Sequence, residues 1–463
     1  MFFLWKKIRT SGWIISGFIA KRKKIIIASA VIGIASFLFI TKILLVIPQP
    51  KPTQRIGYVG RYTWESLPLT VQHKISQGLT VVLPDGTPAP ALASAWQVSE
   101  DGKQYTFDLK PNLSWQDGTP FKSSDLRYPF SDVTIETPDE KTIIFHLKEP
   151  FAPFPVIASL PVFKDQMVGV GTYKIRQLKK RGEIIEKITL DGPQNLTFKF
   201  YPTQTAAIQA FKLGEIDTLK DLWELPLNGQ WQKYIFLQKE VRHDQYLAAF
   251  FNLKDPILAD KKIRQALAYA AKRDHDLERA IGPLNPQSWA YSDDIKRYDF
   301  DPAKAKDLLD KAFQEENSQE ATKSGKPRLA QENLSLKIDT TPTLLSLTEE
   351  LKQSWQEVLG IKVSVETVNT LPADFQILLI GQEIPADPDQ YPLWHSTQPQ
   401  NFTHYQSPKV DKLLEDARRI LDQTKRKERY DDFQRFLLED APAVFLYHPL
   451  TYTISRHPLS ATP

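Results

Sequence analysis

The chain contains no cysteine, although it is 463 residues long. It can therefore form no disulfide, no thiolate metal site and no cysteine nucleophile, and it has no cysteine for N-terminal lipidation. Glycine is scarce, at 19 residues against 34 prolines, so long glycine-rich flexible tracts are absent. The eight histidines show neither HxxxH nor HExxH spacing, and no GxSxG sequence occurs. We therefore expect neither an enzyme nor a metal or cofactor site.

Acidic residues are absent from residues 1–47, which contain eight lysines and arginines. Residues 25–47 form an apolar run, interrupted by Lys42 and a few hydroxyls, that is long enough to cross the ~30 Å hydrocarbon layer as a helix. The positive-inside rule then places residues 1–24 in the cytoplasm and the rest of the chain outside. A cleaved signal peptide is the alternative. Against it, the proline-rich residues 48–55 resemble a stalk and not a cleavage site.

The part of the chain beyond this run is mildly acidic. Removing eight basic residues from a chain of net charge +4 leaves −4 for the remainder. An acidic external part argues against a nucleic-acid partner. The remaining length is sufficient for two or three domains with hydrophobic cores of their own.

Residues 91–121 contain two turns and a strand in close succession. Asp101-Gly102 and Asp117-Gly118 are tight-turn pairs in which glycine suits a positive φ. Between them, apolar and polar residues alternate over 105–109, which predicts a strand with one apolar face. This segment resembles the signature of the family 5 extracellular solute-binding proteins, in which a tryptophan, an Asp-Gly hairpin and a short strand precede W-x-D-G-x-P-F, here residues 115–121.

Further segments resemble the same family in the same order along the chain. They are VGVGTYKI at 168–175, TFKFYPTQTAAIQAFKLGEIDTL at 197–219, DKKIRQALAYAAKRDHDLERAIG at 260–282 and YDFDPAKAKDLLDKA at 298–312. The resemblance implies an α/β, two-lobed periplasmic-binding-protein-like fold of class II type with mixed sheets, here preceded by one N-terminal transmembrane helix. Members of the family deliver peptides, and sometimes nickel or other small solutes, to ABC importers.

The resemblance also implies where the domains begin and end. Lobe 1 is expected to comprise residues 56–245 and 446–463, with an accessory subdomain that is shortened after Phe121. Two hinge strands, 246–253 and 442–450, connect it to lobe 2, residues 254–441. In the second lobe, strand LSLKI, a helix and strand IKVSVETV follow one another, which predicts a parallel βαβ unit.

In peptide-binding relatives a carboxylate just before an Asp/Glu-Pro pair holds the ammonium group of the ligand. Glu383 is the acid that most nearly fits this place, upstream of Asp387-Pro388, although it is offset by about one residue. Asp387 and Asp389 are the alternatives. The competing interpretation is a solvated acidic loop in which Asp387 caps a helix.

Aromatic residues supply the other candidates for ligand binding. Tyr391 and Trp394 would share one face of a helical turn, where they either line a side-chain pocket or pack in the core. Tyr62, Thr63 and Trp64 lie on the first cleft loop, where exposed aromatic rings suit ligand side chains.

These observations predict a membrane-anchored substrate-binding protein of an ABC importer. It would capture oligopeptides or similar small solutes between the lobes and deliver them to permease and ATPase subunits, outside the cell or in the periplasm. The alternative is a solute sensor or surface adhesion module that has lost transport but keeps the fold.

Overall fold

The computed structural model describes residues 21–25, 27–39, 41–42, 51–128, 130, 132–165, 167–225, 229, 231–273, 277–320, 334–372 and 374–458. The chain divides into two compact units, Met1–Pro52 and Thr53–Pro463. In the first unit, the described residues 21–25, 27–39 and 41–42 are helical. Across the described part of the chain, no helix combines the length and apolarity that a membrane span requires. Residues 26, 40 and 43–47 of the predicted span lie outside that part.

The described residues of the second unit form 18 strands and several helices. The strands are β1 Thr53–Val59, β2 Thr80–Val82, β3 Pro88–Pro90, β4 Ala93–Val98, β5 Gln104–Leu109, β6 Val133–Glu136, β7 Thr142–Leu147, β8 Lys174–Arg181, β9 Ile184–Asp191, β10 Asn195–Tyr201, β11 Thr218–Leu222, β12 Phe236–Val241, β13 Gln245–Phe251, β14 Ser335–Thr340, β15 Lys362–Thr367, β16 Ile377–Glu383, β17 Ala443–Tyr447 and β18 Leu450–Ser455. The helices are α1 Leu69–Ile75, α2 Phe154–Ile157, α3 Gln204–Lys212, α4 Lys261–Ala270, α5 Pro302–Glu320, α6 Leu345–Leu359, α7 Tyr391–Trp394, α8 Pro408–Arg419 and α9 Gln423–Asp440.

A seven-stranded mixed sheet has the order β12-β18-β11-β1-β10-β9-β8. Its centre, β1, runs parallel to β10 and β11, while β9, β8 and β18 run antiparallel to their neighbours. Alternate residues of each strand point to opposite faces. On one face Ile56 and Tyr58 therefore pack with Phe198 and Phe200 into a core that α1 covers with Val71.

The family signature folds into a separate four-stranded antiparallel sheet of order β4-β5-β7-β6. The alternation over 105–109 places Tyr105, Phe107 and Leu109 in its core, at 1%, 0% and 6% exposure, as predicted. Gly102 has a φ of +69° and Gly118 a φ of +88°, which glycine adopts without steric cost at both predicted turns.

The second main sheet has five strands in the order β15-β14-β16-β13-β17. The predicted βαβ unit is present: β14 and β15 pair in parallel and α6 connects them. Helix α6 ends where Gly360 adopts a φ of +67°. Buried apolar residues cover both faces of this sheet, so its interior strand β13 is almost wholly apolar.

The chain passes between the two main sheets twice. It leaves β12 at Val241 and enters β13 at Gln245, and it returns from β17 at Tyr447 to β18 at Leu450. The two crossings are joined by a hydrogen bond from the amide of Arg242 to the carbonyl of Pro449, 2.8 Å long.

The predicted hinge strands do not coincide with the segments that cross between the two main sheets. Most of 246–253 and 442–450 lies in β13 and β17, which pair with each other inside the five-stranded sheet. The crossings themselves are the short segments 242–244 and 448–449. The physical reason is burial: Ala249 and Val444 are register partners at 0% and 1% exposure, so these strands belong to a core.

Candidate binding cleft

A cavity of 340 Å³ lies where the chain crosses between the two main sheets. Parallel strands β14 and β16 end at Thr340 and Glu383, and the carboxyl ends of parallel strands are where open α/β sheets bind ligands. The opposite wall is Trp223, which follows β11 of the seven-stranded sheet. The lining residues are Trp223, Gln245, Leu247, Thr341, Thr343, Leu344, Gly381, Gln382 and Glu383.

Glu383 provides the one carboxylate of this lining. It is the last residue of β16 and lies opposite Gln245, the first residue of β13. The amide of Ile384 donates to the carbonyl of Asp244, 2.8 Å away, which fixes the backbone beside it. The side chain is exposed, and none of the described residues forms an ion pair with it. A carboxylate in this state is available to a cationic group of a ligand.

Asp387, the first alternative to Glu383, is already paired. Its carboxylate accepts two hydrogen bonds from the guanidinium of Arg426, at 2.8 and 3.1 Å. Both side chains are buried, with 8% and 7% exposure, and Arg426 also donates to the hydroxyl of Tyr430 at 3.1 Å. The structure therefore places Asp387 in an internal ion pair that joins α9 to the loop after β16, away from the cavity lining.

Asp389, the second alternative, is likewise engaged inside the protein. It accepts a hydrogen bond of 2.9 Å from Nε of Arg418 and another of 3.2 Å from the amide of Tyr391. Burial raises the pKa of the Asp389 carboxyl, and Arg418 opposes that shift. Its position is structural and does not contribute to the cavity lining.

Tyr391 and Trp394 share the single turn of α7 but have different surroundings. Trp394 is fully buried and packs with Phe250 and Phe445, which corresponds to the core interpretation left open by the sequence. The Tyr391 ring is half-buried beneath the guanidinium of Arg418, 4.1 Å from the ring centroid. Neither aromatic side chain lines the cavity.

Tyr62, Thr63 and Trp64 form a turn beside the seven-stranded sheet. The Tyr62 hydroxyl donates to the carbonyl of Val59 at 2.9 Å, and its ring meets Phe200 edge-on. Trp64 packs against Phe163, and the amide of Thr63 donates to the Ser66 hydroxyl at 2.8 Å. These three residues also lie outside the cavity lining.

Of the predicted site residues, only Glu383 is therefore placed in the cavity. Trp223, which is 45% exposed, is not among the residues predicted from the sequence. A tryptophan in the polar sequence KDLWEL, directly after a strand, was a usable signal. Thr341 and Thr343 are not among the predicted residues either, although they follow a strand that was predicted to be parallel.

The chain has two main α/β sheets and a cavity where it crosses between them. The chain belongs to the bacterial extracellular solute-binding proteins of family 5, because residues 87–404 match the family described as "Bacterial extracellular solute-binding proteins, family 5 Middle". The resemblance stated from the sequence is thereby confirmed.

Individual relatives cover most of the chain. It is 23% identical over 431 residues to the oligopeptide-binding protein AppA of Bacillus subtilis, covering 78% of each protein. It is 24% identical over 480 residues to a dipeptide-binding protein of Escherichia coli, covering 84% of this chain and 85% of the relative. Among solved structures, NikZ of Campylobacter jejuni in complex with Ni(L-His) has a TM-score of 0.70 at 24% identity, covering 88% of this chain and 94% of NikZ.

Proposed function

We propose that this protein is the substrate-binding subunit of an ABC importer and that it captures short peptides in the cavity between Trp223 and Glu383. The single observation that carries the proposal is an unpaired carboxylate at the carboxyl end of β16, inside a cavity at the crossing of the two sheets. Relatives named as oligopeptide- and dipeptide-binding proteins support peptides as the ligand class.

The lining suits a peptide that enters with its amino terminus toward Glu383. The carboxylate would accept charge-assisted hydrogen bonds from the ammonium group. Amides of Gln245 and Gln382 and hydroxyls of Thr341 and Thr343 offer donors and acceptors for peptide groups. The indole of Trp223 offers a large apolar surface at low cost in side-chain entropy. Nothing in this set activates a nucleophile, so the ligand would leave unaltered.

The crossings give the capture step a physical basis. Each comprises only a few residues, 242–244 and 448–449, and closing movements in two-lobed proteins concentrate in such short connections. Glu383 lies on the five-stranded side and Trp223 on the seven-stranded side. Rotation about the crossings would therefore bring both walls against a bound peptide, and the closed form would dock on a permease.

The experiment that tests this function is a thermal-shift screen of the purified chain against a library of di- to pentapeptides, with Ni(L-His) as a parallel ligand. A peptide that saturates the site raises the unfolding temperature in proportion to RT ln(1 + [L]/Kd). Stabilisation by peptides is the expected result. No stabilisation by any peptide, or stabilisation by Ni(L-His) alone, would overturn the peptide assignment.

We also propose that residues 25–47 anchor the protein in the membrane. The support is the apolar sequence of that run and the basic residues before it. The full chain should stay in the membrane pellet after alkaline carbonate extraction, whereas a chain that begins at residue 53 should be released. Recovery of the full chain in the carbonate supernatant would refute the anchor.

A further inference from the structure

A basic cavity of 740 Å³ lies on the β8–β10 side of the seven-stranded sheet. Its volume is within the range of about 300–1,000 Å³ that is typical of small-molecule sites. Its lining contains five cations and two carboxylates, which leaves a formal net charge of +3. These charged residues are Arg61, Lys179, Arg181, Lys187, Lys199, Glu186 and Glu215. The cavity shares no lining residue with the cleft at Glu383, so it is a separate site.

The three lysines of the cavity lining form a row across three adjacent strands. Lys199 of β10 is the register partner of Lys187 of β9, and Lys187 is in turn the partner of Lys179 of β8. Neighbouring strands are ~4.8 Å apart, so the row brings three ammonium side chains within ~10 Å. Like charges directly opposite each other in a sheet destabilise it. The row is therefore a cost to folding that packing does not explain.

The carboxylates in the cavity offset only part of this charge. Glu186 is shared between Lys179 and Arg181, at 2.8 Å from each. Glu215 pairs with Lys199 at 3.2 Å. Two carboxylates thus serve three cations. Each of the three ion pairs contains a solvent-exposed side chain, and exposed ion pairs contribute little to stability.

Two cations of the cavity have no carboxylate partner, and one buried hydroxyl has no hydrogen-bond partner, among the described residues. The Lys187 ammonium donates to the side-chain oxygen of Gln177 at 3.3 Å, and Arg61 is exposed and forms no ion pair with a described residue. Tyr201 lines the cavity, and its hydroxyl is buried with no hydrogen-bond partner among the described residues. An orphaned buried hydroxyl is costly unless a ligand satisfies it.

Protection of a sheet edge does not account for this arrangement. Edge strands carry lysines that prevent pairing with other chains, and β8 is an edge strand, which explains Arg176 and Lys180. Strands β9 and β10 are interior strands, yet they contribute Lys187 and Lys199. Interior strands have no edge to protect, so a different role is required for these two lysines.

We propose that this cavity binds a soluble ligand that carries two or more phosphate groups. Lysine binds phosphate as a point charge, and a row of three ammonium groups suits an anion whose charge is spread over several groups. The Tyr201 hydroxyl supplies a further donor: burial raises its pKa to about 12, so it keeps its proton at neutral pH. A concave site lined by three strands fits a small soluble anion, whereas anionic lipid surfaces bind exposed basic segments.

The test uses the full-length chain in an uncharged detergent and inorganic tripolyphosphate as the probe, with affinity measured by calorimetry at low salt. Tripolyphosphate should bind with 1:1 stoichiometry. K187Q and K199Q should each weaken tripolyphosphate binding by about tenfold or more, as the loss of one charge-assisted contact does. K187R keeps the charge and should bind tripolyphosphate like the parent. R176Q is the matched control, because Arg176 is an exposed cation of β8 outside the cavity lining, and it should bind like the parent.

A stability measurement separates a binding role from a structural one. Without anion, K187Q should unfold at a higher temperature than the parent, because it removes the central charge of the row. At the same concentration, tripolyphosphate should stabilise K187Q less than it stabilises the parent. Three results would each overturn the proposal. They are failure of the parent to bind tripolyphosphate, a loss of affinity in R176Q as large as that in K187Q, and binding of the protein to anionic vesicles but not to tripolyphosphate. Peptide binding at Glu383 should be unchanged in K187Q, so the two proposals fail independently.

Discussion

Glu383 and Gln245 face each other at the point where the five-stranded sheet meets the crossing, as the last residue of β16 and the first of β13. This relationship places one exposed carboxylate beside the crossing at residues 242–244. A ligand that bound it would contact the second sheet through Trp223. Binding and closure would therefore depend on the same few residues.

The first prediction concerns the carboxylate of Glu383. E383Q keeps the size of the side chain but removes its charge, so peptides with a free amino terminus should bind about 2 kcal/mol more weakly, the low end for truncating one member of a charge pair. N-acetylated peptides should bind the variant and the parent alike. Isothermal titration with matched free and acetylated peptides gives both values. Equal losses for the two peptide forms would rule out Glu383 as the ammonium site.

The second prediction separates Asp387 from ligand binding. D387N leaves the buried guanidinium of Arg426 without its counter-charge, and breaking a buried pair in this way costs ~3–5 kcal/mol. Urea unfolding should show that loss in the free energy of unfolding. The double variant D387N/R426M should recover part of it, since no lone charge remains buried.

Peptide affinity provides the control for that variant. Measured where D387N is still folded, its affinity should match the parent, because Asp387 does not line the cavity. A large loss of peptide affinity with an unchanged free energy of unfolding would instead show that Asp387 contributes to ligand binding.

The third prediction concerns Trp223. Trp223 is 45% exposed, so W223A should lower the free energy of unfolding by about 1 kcal/mol, well below the loss for a fully buried tryptophan. Peptide affinity should fall by about tenfold, ~1.4 kcal/mol, as for an aromatic anchor at an interface. Exposed Tyr234 lies outside the cavity lining, and Y234A serves as the control. Undiminished peptide affinity in W223A would show that the indole does not contact the ligand.

The fourth prediction concerns pH and the crossings. Burial lowers the pKa of His448, against a hydrogen bond of 2.7 Å from its Nδ1 to the carbonyl of Gln245. Burial also lowers the pKa of His73. Below about pH 6.5 the unfolded chain therefore binds protons that the folded chain does not. The free energy of unfolding should fall as the pH drops from 7 through 6.5 toward the folded pKa values.

H448Q should make that decline shallower, because one depressed histidine is removed. H146Q serves as the matched control, because it removes a partly exposed histidine of β7, outside the crossings. Urea unfolding at several pH values between 5 and 7.5 measures both. If the free energy of unfolding of H448Q falls with pH as steeply as that of the parent, His448 does not cause the decline.

Local patterns in the sequence determined much of this protein. The alternation over 105–109 and the Asp-Gly pairs depend on neighbours along the chain, and the strand and turns appear where they were predicted. The strand-helix-strand order at β14, α6 and β15 likewise predicted a parallel pair. With the order of the family segments, these patterns identified the family without reference to a fold.

Only the tertiary structure decided which acid is free. Glu383, Asp387 and Asp389 lie within seven residues of one another and look alike in sequence. Arg426 is 39 residues beyond Asp387 and Arg418 is 29 beyond Asp389, so packing of α8 and α9 against the loop pairs two of the acids and leaves the third. The lysine row has the same origin, because strand register brings residues 179, 187 and 199 side by side. Pairing of charges depends on distance in space, which sequence spacing does not contain.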